Sequence, residues 1–443
     1  MRLSALHEHI VGILGMGAEG QSVFRALRRT GYDGTVVALA DDRGDFEARG
    51  LRWRFGMNQR QGVAEVSLVV RSPGFPLHHP TLQEIRRRGI RMTTATNLFL
   101  SEVRAAGLPI IGVTGSKGKS TTSTLIWRAL QRAGRPTSLV GNIGRPALDQ
   151  LDDVLQRRAV SVFELSSYQC HDLILSPSVA VLLDLFPEHM DWHGSVEAYY
   201  DAKLNIARHQ RPGDRFIFND ASRIWSAPLG EGALQAVNRD GGLRFSEGNF
   251  YRGDDRLFSD DGVSLLGVHQ RRNMVSAIAA VEAVGVDASA VLDAAQGFTG
   301  LPHRNQDLGE AGGVRWFDDA ISTAPQAAVA ALAALDGTAH TLIVGGLDRG
   351  YDFTPLADAI RGGAAKVVLT VPDSAGALVK QLSESRVVVE TLASLEAAVA
   401  RAAVLTPPGK AVVFSPASPS YNRFRSFRER GQRFQELVQA LRA

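Results

Sequence analysis

Apolar runs alternate with amphipathic stretches from the first residues of the chain. A short apolar run, Gly12–Leu14, leads through glycines into a helical pattern ending near Arg29, and a second apolar run covers Thr35–Ala40. An apolar run at Val66–Val70 and a helical stretch at Pro80–Arg88 continue this order. Strand, helix and strand in succession predict β-α-β units around a parallel sheet.

The same alternation repeats twice more along the chain. A strand at Pro109–Val113 precedes a glycine-rich turn and an amphipathic helix over Thr121–Ala133. The further predicted elements are strands at Val160–Glu164, Val179–Leu185, Arg315–Phe317, His340–Val344, Lys366–Leu369 and Ala411–Phe414, and helices at Val275–Val284 and Phe424–Leu441. The pattern predicts an α/β protein of three consecutive domains, at residues 1–98, 99–301 and 302–443, with ligands at the carboxyl ends of the strands.

Composition and charge limit the classes of protein that fit. Lys and Arg number 49 against 46 Asp and Glu, and this small surplus does not predict nucleic-acid binding. No uncharged apolar run reaches the roughly 20 residues that a membrane helix needs. The single cysteine, Cys170, excludes an internal disulfide. These features predict a cytoplasmic protein with neither a membrane nor a nucleic-acid partner.

A phosphate-binding loop is predicted between the first strand and the first helix of the second segment. The loop, Thr114–Thr121, reads Thr-Gly-Ser-Lys-Gly-Lys-Ser-Thr. Backbone N–H groups at the start of a helix bind phosphate, Lys119 would neutralise the outer phosphates of ATP, and Ser120 would hold Mg²⁺. Gly115 stands only three places before Gly118, so the glycine spacing departs from the strict motif.

A second glycine-rich turn follows the first predicted strand. It covers Gly15–Gly20, and Asp41 and Asp42 come about twenty residues later, where a Rossmann fold places an acidic residue. By itself this arrangement is typical of dinucleotide binding. It also fits another nucleotide or a diphosphate, so an oxidoreductase and a nucleotide-binding protein both stay open at this point.

Ordered motifs further along the chain resemble those of one family. In addition to the loop Thr114–Thr121, they are Gly141–Gly144, Glu164–Gln169, Glu188–Asp191, Ala202–Leu204, Gly300–Arg304, Ser415–Ala417 and Arg430-Gly431. This succession resembles the Mur ligases. Within that family the pattern is most similar to the branch that adds glutamate to UDP-N-acetylmuramoyl-L-alanine, and the likeness covers nearly the whole chain.

The resemblance implies a fold and a reaction. It implies a Rossmann-like UDP-binding domain, a central P-loop ATPase-type domain and a C-terminal Rossmann-like domain that binds glutamate. ATP would phosphorylate the precursor carboxylate, and the glutamate amine would then displace phosphate from the acyl phosphate. The implied ligands are ATP, two Mg²⁺ ions, UDP-N-acetylmuramoyl-L-alanine and glutamate. The protein is expected to be a monomer in peptidoglycan synthesis, linked in function to a separate glutamate epimerase.

The resemblance also assigns roles to residues of this chain. The implied catalytic residues are Lys119, Glu164, His189, Lys203 and Arg304. The implied metal ligands are Ser120, Glu164, His189 and Lys203, the last carbamoylated so that it faces Mg²⁺ as an anion. The implied ATP contacts are Gly115, Ser116, Lys117, Gly118, Lys119, Ser120, Thr121, Asn273 and Arg304. For the UDP substrate they are Gly15, Gly17, Ala18, Glu19, Asp41, Asp42, Arg43, Ser72, Asn142, Ser166 and Gln169, and for glutamate Asp319, Thr323, Arg349, Ser420, Tyr421 and Phe427.

Several positions depart from the pattern of the family, among them Tyr421 and Asn422, which stand where a leucine and an aspartate are common. Glu19 stands where a small hydroxyl residue is usual and would repel phosphate unless it points away, and Gln270 replaces an asparagine. Relatives that use D-glutamate have Asn-Asp-Ser-Lys-Ala-Thr-Asn where this chain has Asp318–Pro325, with Ile321 in place of the lysine. Losing this cation would cost the binding of a dicarboxylate about 1.5–3 kcal/mol for each charge-assisted hydrogen bond, so the pocket must be arranged differently. The altered stretch resembles the branch of the family that adds L-glutamate. We therefore interpret the chain as an L-glutamate-adding ligase, with D-glutamate addition as the alternative.

Two further hypotheses stay open. A sister ligase that adds L-alanine, a diamino acid or a glutamate on folate would share most motifs, although Gly300–Arg304 and the turn at Gly15 favour the glutamate-adding branch. A catalytically inactive sensor of UDP-linked precursors would keep the fold. Such a sensor would be free to lose Lys119, Glu164 and Lys203, all of which are present.

Overall fold

The computed structural model describes residues 1–41, 46–187, 190–219, 228–265, 267–298, 300–335, 337–347, 351–372, 375–420 and 423–442. Contacts divide the chain into two units, Met1–Phe298 and Thr299–Ala443. Each unit contains a sheet with mainly parallel strand pairs and accompanying helices, so the predicted α/β class is confirmed. The division into three domains stays a prediction. No helix in the described ranges has the length and apolar character that crossing a membrane requires.

The first sheet of unit 1 consists of parallel strands. They are β1 (Val11–Leu14), β2 (Val36–Ala40), β3 (Leu51–Phe55), β4 (Leu68–Arg71) and β5 (Arg91–Thr94), in the order β3-β2-β1-β4-β5. The accompanying helices are α1 (Ala18–Arg29), α2 (Gln59–Val63), α3 (Pro80–Arg87) and α4 (Ala95–Ala105), with 3-10 turns at Leu3–Glu8 and Gly56–Asn58. The strand order reverses between β1 and β4. In such sheets, ligands bind beside the carboxyl ends of the strands at the reversal.

The second sheet of unit 1 is also parallel. Its strands are β6 (Ile110–Thr114), β7 (Thr137–Gly141), β8 (Val160–Glu164), β9 (Val179–Leu182), β10 (Arg215–Phe218) and β11 (Ala233–Ala236), in the order β11-β10-β9-β6-β8-β7. Its helices are α5 (Lys119–Arg132), α6 (Leu151–Arg157), α7 (Ser167–His171), α8 (Met190–His193) and α9 (Val196–Arg208), with a 3-10 turn at Ala147–Gln150. The central strand β6 is buried throughout and leads directly into the predicted phosphate loop.

A small antiparallel sheet completes unit 1. Its strands are β12 (Leu243–Ser246), β13 (Asn249–Arg252) and β14 (Asp255–Ser259), and two helices follow, α10 (Val268–Glu282) and α11 (Ser289–Ala295). Both helices pack against α5, the helix that follows the phosphate loop. The sequence pattern did not predict this sheet, because its short strands are only partly buried and carry few apolar residues.

Unit 2 has one six-stranded sheet with helices. The strands are β15 (Gln306–Ala311), β16 (Val314–Asp318), β17 (Ala339–Val344), β18 (Val367–Thr370), β19 (Val388–Thr391) and β20 (Ala411–Phe414), in the order β15-β16-β20-β17-β18-β19. The helices are α12 (Pro325–Ala333), α13 (Thr354–Ala359), a π-helical turn Ile360–Ala364, α14 (Gly376–Leu382), α15 (Leu395–Leu405) and α16 (Phe427–Ala440). Only the pairing of β15 with β16 is antiparallel among the described strands of this sheet. The adjacent residues Trp316 and Phe317 belong to different apolar cores, one on each face of the sheet. Because both faces are buried, the sequences of these strands are continuous apolar runs.

Several predicted boundaries shift in the structure. The last helix begins at Phe427 rather than Phe424, because the Ser426 side chain caps its N-terminus by accepting a hydrogen bond from the Glu429 N–H. The helix predicted from Thr121 begins at Lys119, and the strand predicted to run to Leu185 ends at Leu182.

The glycine-rich turn after β1 depends on a close backbone approach. A Cβ at Gly20 would lie 2.1 Å from the carbonyl oxygen of Gly15, so only glycine lets α1 pack this tightly on the turn. By contrast, Gly74, which follows β4 of the same sheet, has open space around it: an added Cβ would have no heavy atom within 4 Å.

We predict that Gly20→Ala lowers the free energy of unfolding by about 1–3 kcal/mol, the usual effect of overpacking a tight site. Gly74→Ala is the matched control and should leave it almost unchanged. Thermal unfolding of the two variants beside the wild type measures the difference. Equal melting temperatures for both variants would contradict the contact.

Candidate active site

The phosphate loop joins β6 to the first turn of α5, as the sequence predicts. Gly115 and Gly118 adopt φ values of 152° and 81°, which favour glycine. Glycine is also required for space, because a Cβ at Gly115 would lie 2.7 Å from Leu183 Cβ. The loop therefore leaves its backbone N–H groups at the amino end of a 14-residue helix, where anions bind.

Two lysines meet at one carbonyl group of this loop. Lys119 Nζ donates to the oxygens of Gly115 at 2.9 Å and Ser116 at 2.8 Å. Lys203, from α9, is 1% exposed, and its Nζ also donates to the Gly115 oxygen at 2.8 Å. The structure thus brings together two lysine side chains that lie far apart in sequence, beside a loop suited to phosphate.

Asn273 lies against the same loop. A Cβ at Gly118 would be 2.7 Å from the Asn273 side chain, so this residue of α10 touches the phosphate loop. Asn273 Nδ2 donates to Gln270 Oε1 at 3.2 Å. Gln270, which departs from the family pattern, therefore orients Asn273. Of the other predicted ATP contacts, Ser120 and Thr121 are buried in the first turn of α5 and Lys117 is exposed.

Glu164 and Asn142 meet at the carboxyl ends of β8 and β7. Asn142 Nδ2 donates to Glu164 Oε1 at 3.0 Å, and the Asn142 N–H donates to the Glu164 carbonyl oxygen at 3.0 Å. Glu164 is 1% exposed, and its Oε2 has no hydrogen-bond partner among the described residues. A buried carboxylate oxygen without a partner is costly, and a cation would compensate for that cost.

These groups fit a Mg²⁺ ion. Hard oxygen ligands suit Mg²⁺, and Glu164 Oε2 and the Ser120 hydroxyl provide such ligands at the strand ends and the loop. Of the other implied metal ligands, His189 lies outside the described residues. Within the described ranges there is no group of three or more His, Cys, Asp or Glu side chains arranged to hold a metal.

Several of the predicted contacts of the UDP substrate lie at the carboxyl ends of β1, β2 and β4. Ser72 Oγ donates to the Gly15 carbonyl oxygen at 2.7 Å, so the glycine-rich turn and the residue after β4 are joined at the strand-order reversal. Gly17 and Ala18 begin α1 at this turn. At the end of β2, Asp41 Oδ1 accepts from Gln59 Nε2 at 2.9 Å and lies 3.1 Å from His79 Nε2. Asp42 and Arg43 lie outside the described residues.

Glu19 connects the first sheet region to the second. Its Oε1 accepts a hydrogen bond from Gln169 Nε2 at 2.7 Å, while its Oε2 is buried and has no partner among the described residues. Burial raises the pKa of Glu19 to about 7. At neutral pH this carboxyl group is therefore protonated, and uncharged, in part of the molecules. It repels a nearby phosphate less than the fully ionised glutamate that the sequence suggests.

Ser166 and Gln169 form a capping box at the start of α7. Ser166 Oγ accepts from the Gln169 N–H at 3.2 Å, and Gln169 Oε1 accepts from the Ser166 N–H at 2.9 Å. The same Gln169 side chain therefore caps the helix and binds Glu19. Contact of these two residues with the substrate stays a prediction.

In unit 2, the predicted glutamate residues follow the ends of β16 and β20. Asp319 is buried, and its oxygens accept from the Asn305 N–H at 3.1 Å and from Ser415 Oγ at 2.7 Å. Desolvation raises the pKa of Asp319 to about 6. Ser420 is buried after β20, and Thr323 is half-buried after β16.

The remaining predicted residues of unit 2 are less enclosed. Phe427 opens α16 and meets the His303 ring edge to face at 6.3 Å, and the neighbouring Arg304 is exposed. Arg349 and Tyr421 lie outside the described residues.

Sequence reasoning missed Tyr199 and His79 in unit 1, and it gave no contacts for the side chain of Arg430 in unit 2. Tyr199 Oη lies 2.9 Å from Ser116 Oγ, and its ring centroid lies 4.9 Å from Lys203 Nζ. Its position four residues before Lys203 places it on the same face of α9, a signal that the helical period could have revealed.

Comparisons with known proteins identify the family of this chain. The profile of the Mur ligase middle domain matches residues 113–281, and that of the Mur ligase glutamate ligase domain matches residues 303–418. The chain belongs to the Mur ligase family. Among curated relatives it is 39% identical to the UDP-N-acetylmuramoyl-L-alanine--L-glutamate ligase of Micromonospora, covering 99% of this chain and 98% of that protein. It is 34% identical to the UDP-N-acetylmuramoylalanine--D-glutamate ligase of Symbiobacterium thermophilum, covering 97% of each.

Solved structures share the fold. The UDP-N-acetylmuramate-alanine ligase of Thermotoga maritima matches with a TM-score of 0.59 and 17% identity, over 98% of this chain and 99% of that one. The MurF ligase of the same organism, solved with ADP, matches with a TM-score of 0.57 and 16% identity, over 97% of this chain and 94% of that one.

The raised pKa of Glu19 predicts a pH-dependent stability. The folded state holds this proton more tightly than the unfolded state, in which the pKa of Glu19 is 4.5. The free energy of unfolding should therefore decrease as the pH rises from about 4.5 to about 7. The difference between these two pKa values corresponds to a decrease of about 3 kcal/mol. Relative to the wild type, Glu19→Gln should therefore gain about that much as the pH rises through this window.

Urea unfolding of both proteins at pH 5 and pH 7.5 measures this change. The exposed Glu8 gives the matched control, and Glu8→Gln should follow the wild type at both values. A constant difference between Glu19→Gln and the wild type at the two pH values would contradict the raised pKa.

Proposed function

We propose that this protein is an ATP-dependent ligase that joins glutamate to UDP-N-acetylmuramoyl-L-alanine in peptidoglycan synthesis. The observation that carries the proposal is the meeting of Lys119 and Lys203 at the Gly115 carbonyl oxygen, beside a glycine loop and the buried Glu164. The names of the relatives and the glutamate ligase domain profile support the choice of amino acid.

Amide formation needs an activated acid, because the oxygen of a carboxylate is a very poor leaving group. The γ-phosphoryl group of ATP passes to the carboxylate of the precursor, and ADP leaves. The glutamate amine then attacks the acyl carbon, a proton is lost from nitrogen, and inorganic phosphate leaves as the amide forms. Both ATP and the carboxylate are anions, so positive charge between them lowers the barrier to the first step.

The residues around the loop provide this charge and its partners. Lys119 binds the outer phosphates, and the loop N–H groups orient them. Ser120, Glu164, His189 and Lys203 would hold two Mg²⁺ ions, which supply charge neutralisation when bound. A buried ammonium at Lys203 would repel such an ion, whereas a carbamate formed with CO₂ would attract it, which supports carbamoylation of this residue. The family resemblance assigns Arg304 to ATP or the acyl phosphate, and Asn142, which binds Glu164, would contact the phosphates or the acyl phosphate.

The amino acid is L-glutamate in our proposal. The turn Asp318–Pro325 contains no cation, and Ile321 occupies the position of the lysine in relatives that use D-glutamate. The Ile321 N–H donates to the His303 carbonyl oxygen at 3.1 Å, so this turn is held in place by its backbone. Asp319, Thr323, Arg349, Ser420, Tyr421 and Phe427 would line the site. The enzyme would act as a monomer of three domains, beside a separate epimerase that supplies D-glutamate in the product.

Ligation with each glutamate isomer tests this choice. With ATP, Mg²⁺ and UDP-N-acetylmuramoyl-L-alanine, we expect kcat/KM for L-glutamate to exceed that for D-glutamate by at least about tenfold, which corresponds to about 1.4 kcal/mol. Ile321→Lys should reduce the preference, because it restores the cation. Higher efficiency with D-glutamate would overturn the L-isomer assignment and leave the ligase assignment standing.

Removal of the loop lysine tests the reaction itself. Lys119→Ala should reduce kcat by at least about 10²-fold, because one charged contact to the transferring phosphoryl group is lost. Lys380→Ala, an exposed lysine in unit 2, is the control and should keep full activity. Product measured by chromatography decides the outcome, and unchanged synthesis by Lys119→Ala would remove the proposed mechanism.

A further inference from the structure

One buried arginine in unit 2 binds three separate loops. Arg430, in the first turn of α16, is 3% exposed. Its Nη1 donates to the carbonyl oxygens of Ser418 at 3.0 Å and Gly345 at 3.4 Å, and its Nη2 donates to that of Ala320 at 3.0 Å. These oxygens belong to the loops that follow β20, β17 and β16.

The side chain is buried, and its Nε has no hydrogen-bond partner among the described residues. The Asp318 carboxylate attracts the Arg430 guanidinium electrostatically. Burial lowers its pKa to about 10, which still leaves it a cation at neutral pH. Removing such a charge from water is costly, and the three carbonyl dipoles together with the Asp318 carboxylate compensate for that cost. A planar guanidinium can bind oxygens in several directions at once, whereas a lysine ammonium cannot span the same fork.

Neighbouring contacts show that the loops after β17 and β20 are packed against each other at this point. A Cβ at Gly346 would lie 2.3 Å from the Pro419 carbonyl oxygen and 3.0 Å from Arg430 Nη1. The Leu347 N–H donates to the same Pro419 oxygen at 2.8 Å. Next to Arg430, Gly431 leaves room for the His303 ring, whose Nδ1 would lie 2.2 Å from an added Cβ.

The same three loops carry the residues assigned to glutamate. Asp319 and Thr323 follow β16, Arg349 comes shortly after Gly345, and Ser420 follows Ser418 by two residues. We propose that Arg430 is a positioning residue that fixes the spacing of the three loops and so sets the affinity of the ligase for glutamate. This inference rests on the proposed function. Arg430 itself acts through backbone carbonyls and does not touch the substrate.

Steady-state kinetics of the full-length enzyme test the inference. Arg430→Lys keeps the charge but loses the fork, and should raise KM for glutamate about tenfold or more. KM for ATP and for the UDP-linked precursor should stay within about twofold of the wild type, and kcat at saturating glutamate should be largely kept. Arg433→Lys is the matched control on α16, since Arg433 pairs with Glu396 at 44% exposure, and it should behave as the wild type.

A purely structural role gives a different result. An equal rise in all three KM values, or an unchanged KM for glutamate in folded Arg430→Lys, would overturn the inference. Glutamate-dependent product from the wild type and from Arg433→Lys shows in the same experiment that the proposed function holds. If neither protein makes that product, it is the proposed function that fails.

Hydrogen exchange in the wild type gives a second test that does not depend on a variant folding. With the UDP-linked precursor and a non-hydrolysable ATP analogue present, glutamate should slow exchange together in peptides covering residues 319–324, 345–347 and 415–420. Protection of a single loop would overturn the inference, because loops held by one side chain should respond as a group.

Discussion

The Gly115 carbonyl oxygen accepts hydrogen bonds from two ammonium groups, and much of the site in unit 1 depends on this shared acceptor. Lys119 reaches it from the helix after the loop, and Lys203 reaches it from a helix more than eighty residues later in the chain. The helix α9 packs against β6 and β9 of the second sheet, and its Tyr199 lies beside both the Lys203 ammonium and Ser116 of the loop. The fold thus brings two lysines that are far apart in the sequence to one acceptor, beside the loop suited to phosphate.

Sequence patterns predicted the central strands well because these strands are buried on both faces. Val160–Glu164 matches β8 at both ends, and the phosphate loop falls between β6 and α5 as expected. The edge strands and the small antiparallel sheet were missed, since their half-exposed residues give no clear period. The order of the motifs identified the family, but it does not show which residues lie close to each other in the folded protein.

The partners of the site residues could not be predicted for the same reason. The sequence suggests that Glu19 conflicts with phosphate, whereas the structure gives its carboxyl group a partner 150 residues away in Gln169. Likewise, Gln270 looks like the loss of an asparagine, yet it supports Asn273. Arg430 was noted only as part of a motif. It donates to main-chain carbonyl groups, which every residue has, so the sequence does not indicate which of them it binds.

The contact between Asn273 and Gly118 has a consequence for how the two positions can vary. The amide side chain lies so close to the glycine that even one added carbon at position 118 would collide with it, so the two positions are sterically coupled. Any residue other than glycine at position 118 would need a smaller residue at position 273. We therefore expect the two positions to change together.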